Sequence, residues 1–489
     1  MERLVLAVDQ GTSSTKALLV NAAGRIVARG DAALSQSHPA PGLVEQDARA
    51  LLAGVQAAIA ACVKGIDPRA VVGIGLSTQR ESVVLWETKT GRPVAPLVSW
   101  QDQRGAERAA RLEGTPFADL VRQRTGLPLD PMFSALKMAA LLDEHDPTRE
   151  LVSCGRLRLG TVDSWLVNAI TGAFVTEIGN ASRTQLLNLR TGAFDKDLLT
   201  AFGVPERALG EVVASTGPFG HTSGFDPLPD GIPVAAVLGD SHSALFAHAG
   251  WRPGVTKATY GTGSSVMTLT SSLGAAGAIC DTIAWSVGGP AFAQEANIRS
   301  SGRTLTWLAD LLGATVEEVI ELAECSDADG VTLVPAFGGI GAPWWDTRAQ
   351  PLLAGFSLGT GRGQVARAAL ESVAHQVDDV LGAMTGIDRV MADGGLTRST
   401  ALMQLQADLS GVEVARTHHP DLSAAGVADL AGLTLGLWST PDLEKRADDG
   451  LEVFTPTWSE DRREAAASRW HERLLAAREL GARGNERTS

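Results

Sequence analysis

Two polar stretches of the sequence have the residue types that bind phosphate groups. The first, Asp9–Lys16, follows an apolar run and combines a carboxylate, a glycine, several hydroxyl side chains and a lysine. Backbone N–H groups and hydroxyls at a tight bend surround phosphate oxygens, and we expect Gly11 to permit the bend. The pattern predicts a β-hairpin that binds phosphate through Gly11, Thr12, Ser13 and Ser14, with Lys16 as a point charge. An ordinary polar hairpin has the same composition and remains the alternative.

A stretch of the same kind recurs about half a chain later. Thr259–Val266 places Gly261 and Thr262 between apolar flanks. Two such hairpins in one chain predict two similar domains, each offering one loop to a nucleotide in the cleft between them.

Three more glycines lie where a nucleotide could approach the backbone. Gly302 opens a predicted helix, Thr304–Leu312, whose first N–H groups are free to meet phosphate. Gly394 and Gly395 follow a predicted strand and let a flat adenine or ribose come close, although a plain strand–helix turn uses the same residues.

Two carboxylates at predicted strand ends could bind a metal ion or act as a general base. Asp9 ends the first buried strand, where such an anion usually holds a metal ion or a metal-bound water. Asp240 follows the predicted strand Pro233–Leu238 and precedes a helix predicted from Ser243, so it is the candidate general base. His242 is an alternative acid or base, but a histidine in this position is more often packed.

Candidate substrate contacts follow two other strands. Arg80 and Glu81 come after the predicted strand Val71–Leu76, at the edge where α/β sheets bind ligands. Trp100, next to Gln and Asp, offers an apolar face with hydrogen-bonding groups, as carbohydrates require. The alternative is a core tryptophan beside a helix-capping Asp102.

The elements that carry these residues alternate between strands and helices, which predicts an α/β fold. Helices are predicted at Asp47–Cys62, with Asp47 as the N-cap, and at Arg362–Met384. The loop Gly338–Asp346 is predicted to be packed rather than a lid. Glycines and a proline near residue 250 suggest a boundary, giving domains 1–248 and 249–489.

Composition narrows the possible partners. A chain of 489 residues exceeds the size of one hydrophobic core, so two or more domains are expected. The net charge of -14, without a local basic block, argues against nucleic acid or an anionic membrane as partner. The four cysteines are predicted to be reduced core or near-core thiols. Without a signal peptide or a long apolar run, the sequence predicts a soluble, cytoplasmic protein.

These motifs, in this order, resemble the FGGY carbohydrate kinases and, within that family, the glycerol kinases. The resemblance covers nearly the whole chain. Its motifs are Asp9-Gln10-Gly11-Thr12, Gln79-Arg80-Glu81, Trp100-Gln101-Asp102, Gly160-Thr161-Val162-Asp163, Asn180-Ala181-Ser182-Arg183-Thr184, Gly239-Asp240, Tyr260-Gly261-Thr262-Gly263, Gly341-Ala342-Pro343 and Asp393-Gly394-Gly395-Leu396. The resemblance implies two actin-like (ribonuclease H-like) ATPase domains with a nucleotide cleft between them.

The resemblance also implies a function, which is the ATP-dependent phosphorylation of a polyol or sugar hydroxyl with Mg²⁺. By that resemblance Asp240 deprotonates the hydroxyl, and Asp9 lies near the metal, with Asp240 as a second metal-side carboxylate. Phosphates and nucleotide are expected at Gly11, Thr12, Ser13, Gly261, Thr262, Gly302, Gly394 and Gly395. The carbohydrate is expected at Arg80, Glu81, Trp100 and Asp240.

Three departures from the glycerol kinases concern the substrate and the phosphates. Met132 stands where those kinases have a tyrosine, and Ser241 where they have a glutamine, so the pocket loses polar contacts and gains room. We therefore expect a polyol or sugar longer than glycerol, such as a tetritol, pentitol or ketopentose. Lys16 replaces an arginine and loses its forked hydrogen bonding.

Other functions remain open at this point. A true glycerol kinase could tolerate Met132 and Ser241. An actin- or chaperone-like ATPase acting on a protein partner would hydrolyse ATP without a sugar, but it has no use for a polyol pocket. A sugar-sensing regulator would need a basic DNA-binding segment, and none is present. We expect a homo-oligomer, either a dimer or a tetramer.

Overall fold

The computed structural model describes residues 2–274 and 277–486. The strands are β1 (Leu4–Gln10), β2 (Ser14–Asn21), β3 (Ile26–Ala33), β4 (Glu45–Gln46), β5 (Val71–Thr78), β6 (Val83–Glu87), β7 (Leu97–Val98), β8 (Leu157–Thr161), β9 (Val175–Glu177), β10 (Leu187–Asn188), β11 (Ala193–Phe194), β12 (Glu211–Val213), β13 (Val234–Gly239), β14 (Val255–Tyr260), β15 (Ser264–Thr270), β16 (Cys280–Ser286), β17 (Pro290–Ile298), β18 (Thr332–Val334), β19 (Leu352–Ala354), β20 (Arg389–Asp393), β21 (Glu413–Arg416) and β22 (Glu452–Phe454). The helices are α1 (Ala48–Cys62), α2 (Ala106–Leu112), α3 (Pro116–Thr125), α4 (Ser134–His145), α5 (Glu150–Ser153), α6 (Val162–Thr171), α7 (Ile178–Ser182), α8 (Lys196–Phe202), α9 (Asp240–Ala247), α10 (Gly302–Leu312), α11 (Val316–Glu324), α12 (Arg362–Ala383), α13 (Thr400–Ser410), α14 (Leu422–Thr434), α15 (Thr440–Ala447) and α16 (Glu460–Glu486).

The first half of the chain is built on a five-stranded sheet in the order β13-β5-β1-β2-β3. Strands β1, β2 and β3 are antiparallel neighbours, whereas β5 and β13 run parallel to β1. Alternate residues of β1 face opposite sides, so Leu4 and Leu6 pack in the core that includes α1. Val5 and Ala7 pack in the core that includes α14. Helix α1 begins where predicted, because Asp47 accepts a hydrogen bond from the backbone N–H of Arg49 at 2.8 Å.

The second half repeats this arrangement. Its seven-stranded sheet contains the run β21-β20-β14-β15-β17, which has the same order and the same strand directions as β13-β5-β1-β2-β3. Strands β16 and β22 extend the two ends. Both predicted hairpins, β1–β2 and β14–β15, are confirmed, as is the prediction of two similar α/β halves.

Helices α9 and α14 join the two halves. Helix α14 belongs to the second half but packs on β1, β5 and β13 of the first sheet. The two helices touch at Gly426, where an added Cβ would come within 1.8 Å of the carbonyl oxygen of Ser243. The hydroxyl of Ser423 donates to the carbonyl oxygen of Asp240 at 3.0 Å. The start of α14 therefore fixes the start of α9.

Two details differ from the sequence predictions. Helix α9 begins at Asp240 rather than at Ser243, so the candidate base lies in the first turn of the helix. Cys62 and Cys280 are buried as predicted, but the prediction is wrong for Cys154 and Cys325, which are exposed. In the part of the chain that the structure describes, no helix is long and apolar enough to cross a membrane.

Candidate active site

Asp240 lies at the end of β13 and the start of α9, between the two halves. Its side chain is 36% exposed, and one carboxylate oxygen lies 3.3 Å from Nε of Arg80. The same oxygen accepts a hydrogen bond from the backbone N–H of Ser241 at 2.6 Å. Burial raises the pKa of Asp240, and the positive charge of Arg80 opposes that rise. The carboxylate is thus oriented by the protein yet still open to a ligand.

Arg80 is held in place by a residue of the second half. Its Nη1 and Nη2 donate to the two carboxylate oxygens of Glu295 at 2.8 and 2.7 Å. Arg183 lies 3.1 Å from Glu295, and both side chains are almost fully buried. Burial raises the pKa of Glu295, but Arg183 and Arg80 overcome that effect and hold it well below its ordinary range. The planar, two-point contact fixes the direction of the guanidinium.

Glu81 belongs to the same network. Its carboxylate accepts a hydrogen bond from Nε of Arg183 at 2.6 Å. Its backbone has a φ of 61°, which is uncommon for a residue with a side chain. The hydroxyl of Ser134 donates to the Glu81 carbonyl oxygen at 3.0 Å and helps to hold this conformation. Backbone strain of this kind is concentrated at functional sites, which makes Glu81 a site candidate on structural grounds.

Trp100 contacts the first hairpin. Its indole Nε1 donates to the hydroxyl of Thr12 at 3.0 Å, and the side chain is partly exposed. The alternative that made Asp102 a helix cap is wrong. Asp102 accepts from the backbone N–H of Val44 at 2.7 Å and from Nε of Arg104 at 2.7 Å, so it ties two loops together.

Met132 lies on a loop whose carbonyl oxygens are bonded by a buried lysine. Nζ of Lys137, fully buried in α4, donates to the carbonyl oxygens of Pro131 at 3.0 Å, of Phe133 at 2.9 Å and of Met132. Met132 packs against an apolar cluster that Trp345 also contacts from the loop Gly338–Asp346. That loop is packed as predicted. Ser241, next to Asp240, is partly exposed.

The first hairpin presents Asp9 beside Asp240. Burial, together with the negative charge of Asp240, raises the pKa of Asp9 to about 7, although a hydrogen bond from Ser77 at 2.8 Å opposes the rise. Gly11 does not have a positive φ, and an added Cβ would be 3.4 Å from the nearest atom. The bend therefore does not require glycine, contrary to the sequence argument. Ser13 and Ser14 lie at the tip, at the start of β2.

Lys16 has a partner that the sequence did not indicate. It stands opposite Asp9 in the hairpin register. Its Nζ lies 3.0 Å from the carboxylate of Asp421, immediately before α14, and Arg29 contacts the same carboxylate. The charge of Lys16 is thus shared with an anion of the second half.

The second hairpin gathers the predicted nucleotide glycines. The backbone N–H of Gly302 donates to the carbonyl oxygen of Gly261 at 2.9 Å, and an added Cβ on Gly302 would come within 2.7 Å of that oxygen. Gly394 has a φ of 98°, and its added Cβ would lie 2.4 Å from the carbonyl oxygen of Tyr260. A Cβ on Gly395 would meet no atom within 4 Å. Thr262 is exposed at the hairpin tip.

His242 is packed rather than available as a base. It is fully buried, and its Nε2 lies 3.2 Å from Nη1 of Arg80. Burial and the charge of Arg80 lower its pKa well below the ordinary value. A neutral, enclosed imidazole in this position orients Arg80, in line with the packed alternative.

A magnesium ion fits the carboxylates present. The described residues contain no group of three or more His, Cys, Asp or Glu side chains that could hold a metal. Asp9 in β1 and Asp240 after β13 are, however, hard oxygen donors on the two strands that flank β5. Mg²⁺ is usually held by one or two carboxylates together with water and substrate phosphates. This pair of carboxylates therefore suits a metal that arrives with the nucleotide.

Sequence reasoning missed several residues of the site. Glu295 and Lys257 belong to the second half, and the charge of Lys257 acts on Asp240. Arg183 enters the sequence prediction only as part of a motif. A usable signal existed, because Glu295 is the only charged residue in β17 and Lys257 the only one in β14. A single charge inside an otherwise uncharged, buried strand needs a partner, which makes it a site candidate.

Comparisons with known proteins cover almost the whole chain. Residues 4–247 match the N-terminal domain of the FGGY family of carbohydrate kinases, and residues 256–435 match its C-terminal domain. An apulose kinase of Pectobacterium atrosepticum is 41% identical over 467 residues, which are 93% of this chain and 94% of that protein. A glycerol kinase of Aromatoleum aromaticum is 39% identical over 97% of this chain and 98% of its own length.

Solved structures show the same fold. The crystal structure of Plasmodium falciparum glycerol kinase with ADP superposes with a TM-score of 0.90 at 24% identity, covering 97% of this chain and 98% of that one. Xylulose kinase of Lactobacillus acidophilus superposes with a TM-score of 0.87 at 18% identity over all of both chains.

Proposed function

The chain belongs to the FGGY family of carbohydrate kinases and is an ATP-dependent kinase of a polyol or sugar, and from this premise we propose that Asp240 is its general base. In this proposal Asp240 accepts the proton of the substrate hydroxyl while the hydroxyl oxygen attacks the γ-phosphorus of ATP. The bond from that phosphorus to the β-phosphate oxygen breaks, and ADP leaves.

The position of Asp240 carries the proposal. Its carboxylate is partly open, lies 3.3 Å from Nε of Arg80 and is close enough to Asp9 of the first hairpin to raise the pKa of that residue. Phosphoryl transfer depends on positioning and charge neutralisation more than on covalent chemistry, so one oriented base suffices. The raised pKa of Asp240 strengthens the carboxylate as a proton acceptor.

Other residues of the site take supporting roles in the proposal. Arg80, Glu81 and Trp100 contact the carbohydrate. The hairpin tips hold the phosphates, and the nucleotide lies along Gly302, Gly394 and Gly395. Mg²⁺ would be held by Asp9 and Asp240 with the phosphates, and it would neutralise phosphate charge there.

We propose a substrate longer than glycerol. Met132 offers no hydroxyl and Ser241 is short, so the pocket lacks two polar contacts that a three-carbon polyol would use. The relative named apulose kinase and the structural relatives named xylulose kinases support a sugar. The relatives named glycerol kinase support the alternative of a true glycerol kinase.

The boundary at residue 248 and a homo-oligomeric state also remain proposals, which limited proteolysis and sedimentation velocity would test.

The experiment is a screen of ADP release with MgATP over C3 to C6 polyols and sugars. The proposal predicts an optimum above three carbons. An optimum at glycerol would refute the enlarged pocket and support the alternative. ADP release that does not depend on any carbohydrate would point instead to an ATPase that acts on another partner.

A further inference from the structure

Lys257 is a buried cation that has no carboxylate partner among the described residues. It lies on β14, the strand that leads into the second hairpin, and is only 2% exposed. Among the residues that the structure describes, no carboxylate oxygen lies within 4.0 Å of its ammonium. An isolated buried charge is costly, so such a residue normally meets an opposite charge.

Each neighbouring carboxylate already has another side chain as its partner. Glu295 is paired with Arg80 and Arg183, and Asp240 lies 3.3 Å from Arg80. Asp393 lies 3.0 Å from Nε2 of His248. These three acids are close enough to raise the pKa of Lys257, but burial and Arg80 lower it overall. The anion that would complete the environment of Lys257 is therefore not supplied by these side chains.

Lys257 is on the strand that leads into the second hairpin, and its charge reaches the candidate base. Lys257 and Thr259 point to the same face of β14, because they are two residues apart on a strand. Thr259 is paired in register with Asp393, which is followed directly by Gly394. On the other side, the charge of Lys257 acts on Asp240. Lys257 therefore stands near the candidate base and on the strand that pairs with the one leading into Gly394.

We infer that the ammonium of Lys257 binds the γ-phosphoryl group of ATP and stays on it as the group is transferred. This inference rests on the proposed function. Lys257 keeps its proton throughout, since the proton of the attacking hydroxyl passes to Asp240. Its contribution is to neutralise the charge of the equatorial oxygens, which is the main task of a kinase active site.

The competing explanation is structural, with Lys257 only balancing Asp393 and Glu295 in the folded protein. The two roles differ in their nucleotide dependence. If Lys257 binds the γ-phosphate, its loss weakens the binding of ATP more than that of ADP. If Lys257 is only a structural cation, its loss weakens the binding of both nucleotides equally or lowers only the stability of the protein.

The test is the Lys257→Met variant, titrated calorimetrically with Mg²⁺ and either ADP or the non-hydrolysable imido analogue of ATP. We expect affinity for the analogue to fall about tenfold or more relative to ADP, as for a lost hydrogen bond to a charged group. We expect kcat to fall by about 10²- to 10³-fold, as for a lost transition-state donor. Thr256→Val, on the opposite face of β14, is the matched control and should leave the ADP-to-analogue ratio unchanged.

Lys257→Arg keeps the charge and covers the case in which Lys257→Met fails to fold. It should preserve the preference for the analogue over ADP while kcat falls. An equal loss of affinity for both nucleotides in the methionine variant, or loss of the preference in the arginine variant, would overturn the inference. Asp240→Asn separates it from the proposed function. That variant should lose phosphoryl transfer but keep the preference for the analogue over ADP. Continued phosphoryl transfer would refute Asp240 as the base, and the binding titrations would still decide the role of Lys257.

Discussion

Arg80 and Glu295 come from opposite halves of the chain and meet in a two-point ion pair, with N–O distances of 2.8 and 2.7 Å. Arg80 also contacts Asp240. The orientation of the candidate base therefore depends on a residue of the second half, and the site is complete only when both halves are in place.

Glu295→Gln tests this dependence. An amide would place an N–H group against one arm of Arg80 and leave two buried arginines short of negative charge. We expect the free energy of unfolding to fall by about 3–5 kcal/mol, as for a broken buried pair, and kcat to fall with it. Denaturant unfolding and steady-state kinetics measure both effects.

The control for that variant is Asp448→Asn, which breaks the more exposed pair with Arg252 at 2.7 Å. It should cost less than about 1 kcal/mol. If Glu295→Gln were as stable and as active as the parent, the ion pair would have no part in holding the site.

Lys137→Met tests the support of the loop that carries Met132. Lys137 donates to three consecutive carbonyl oxygens, Pro131 to Phe133, so its loss leaves buried acceptors unsatisfied. We expect a loss of about 1–3 kcal/mol in unfolding free energy and a higher KM for the carbohydrate with little change in KM for ATP. The exposed Lys64→Met is the control. Equal changes in both KM values would show that the loop is not specific to the carbohydrate.

Met132→Tyr combined with Ser241→Gln tests the size of the pocket. The two changes restore a hydroxyl and a longer amide, so they fill space and add hydrogen bonds. We expect kcat/KM for glycerol to rise about tenfold relative to longer polyols, as for one recovered hydrogen bond. Competition assays on the double variant and on each single variant measure the shift. An unchanged preference would show that these positions do not set substrate length.

Glu177→Gln tests a pH dependence of stability. Glu177 is fully buried, and burial raises its pKa to about 7. Between the unfolded value of about 4.3 and about 7 the folded state therefore binds more protons, so stability falls as pH rises through this window. Glutamine should remove this slope, with a total difference of at most about 4 kcal/mol. Thermal unfolding at pH 5, 6, 7 and 8 checks it.

The control for the pH experiment is Glu479→Gln, at an exposed carboxylate of α16. Its profile should follow that of the parent protein. A parallel profile for Glu177→Gln would mean that Glu177 is ionised in the folded state throughout the range.

Local patterns predicted the parts of the fold that depend on neighbouring residues. The hairpins and the strand end at Asp240 follow from apolar runs that stop at polar or glycine residues. The predictions failed where distant segments meet. The helix cap was a wrong alternative for Asp102, because the sequence does not show that this residue bonds to the distant Val44. Glu295 is absent from the sequence prediction because only the folded chain brings it to Arg80.

The same limit applies to the helix pair. Nothing in the sequence near Ser243 indicates that Gly426 will touch it, although the contact leaves no room for a side chain. The strand order of the second half, by contrast, follows from the two similar hairpins, because the second half repeats the topology of the first.

The most direct test of the proposed base is kcat of Asp240→Asn at saturating MgATP and carbohydrate. A general base contributes about 10²- to 10⁴-fold, so we predict a fall of that size even with both substrates saturating. A kcat within about tenfold of the parent enzyme, below that range, would contradict the central claim that Asp240 draws the proton from the substrate hydroxyl.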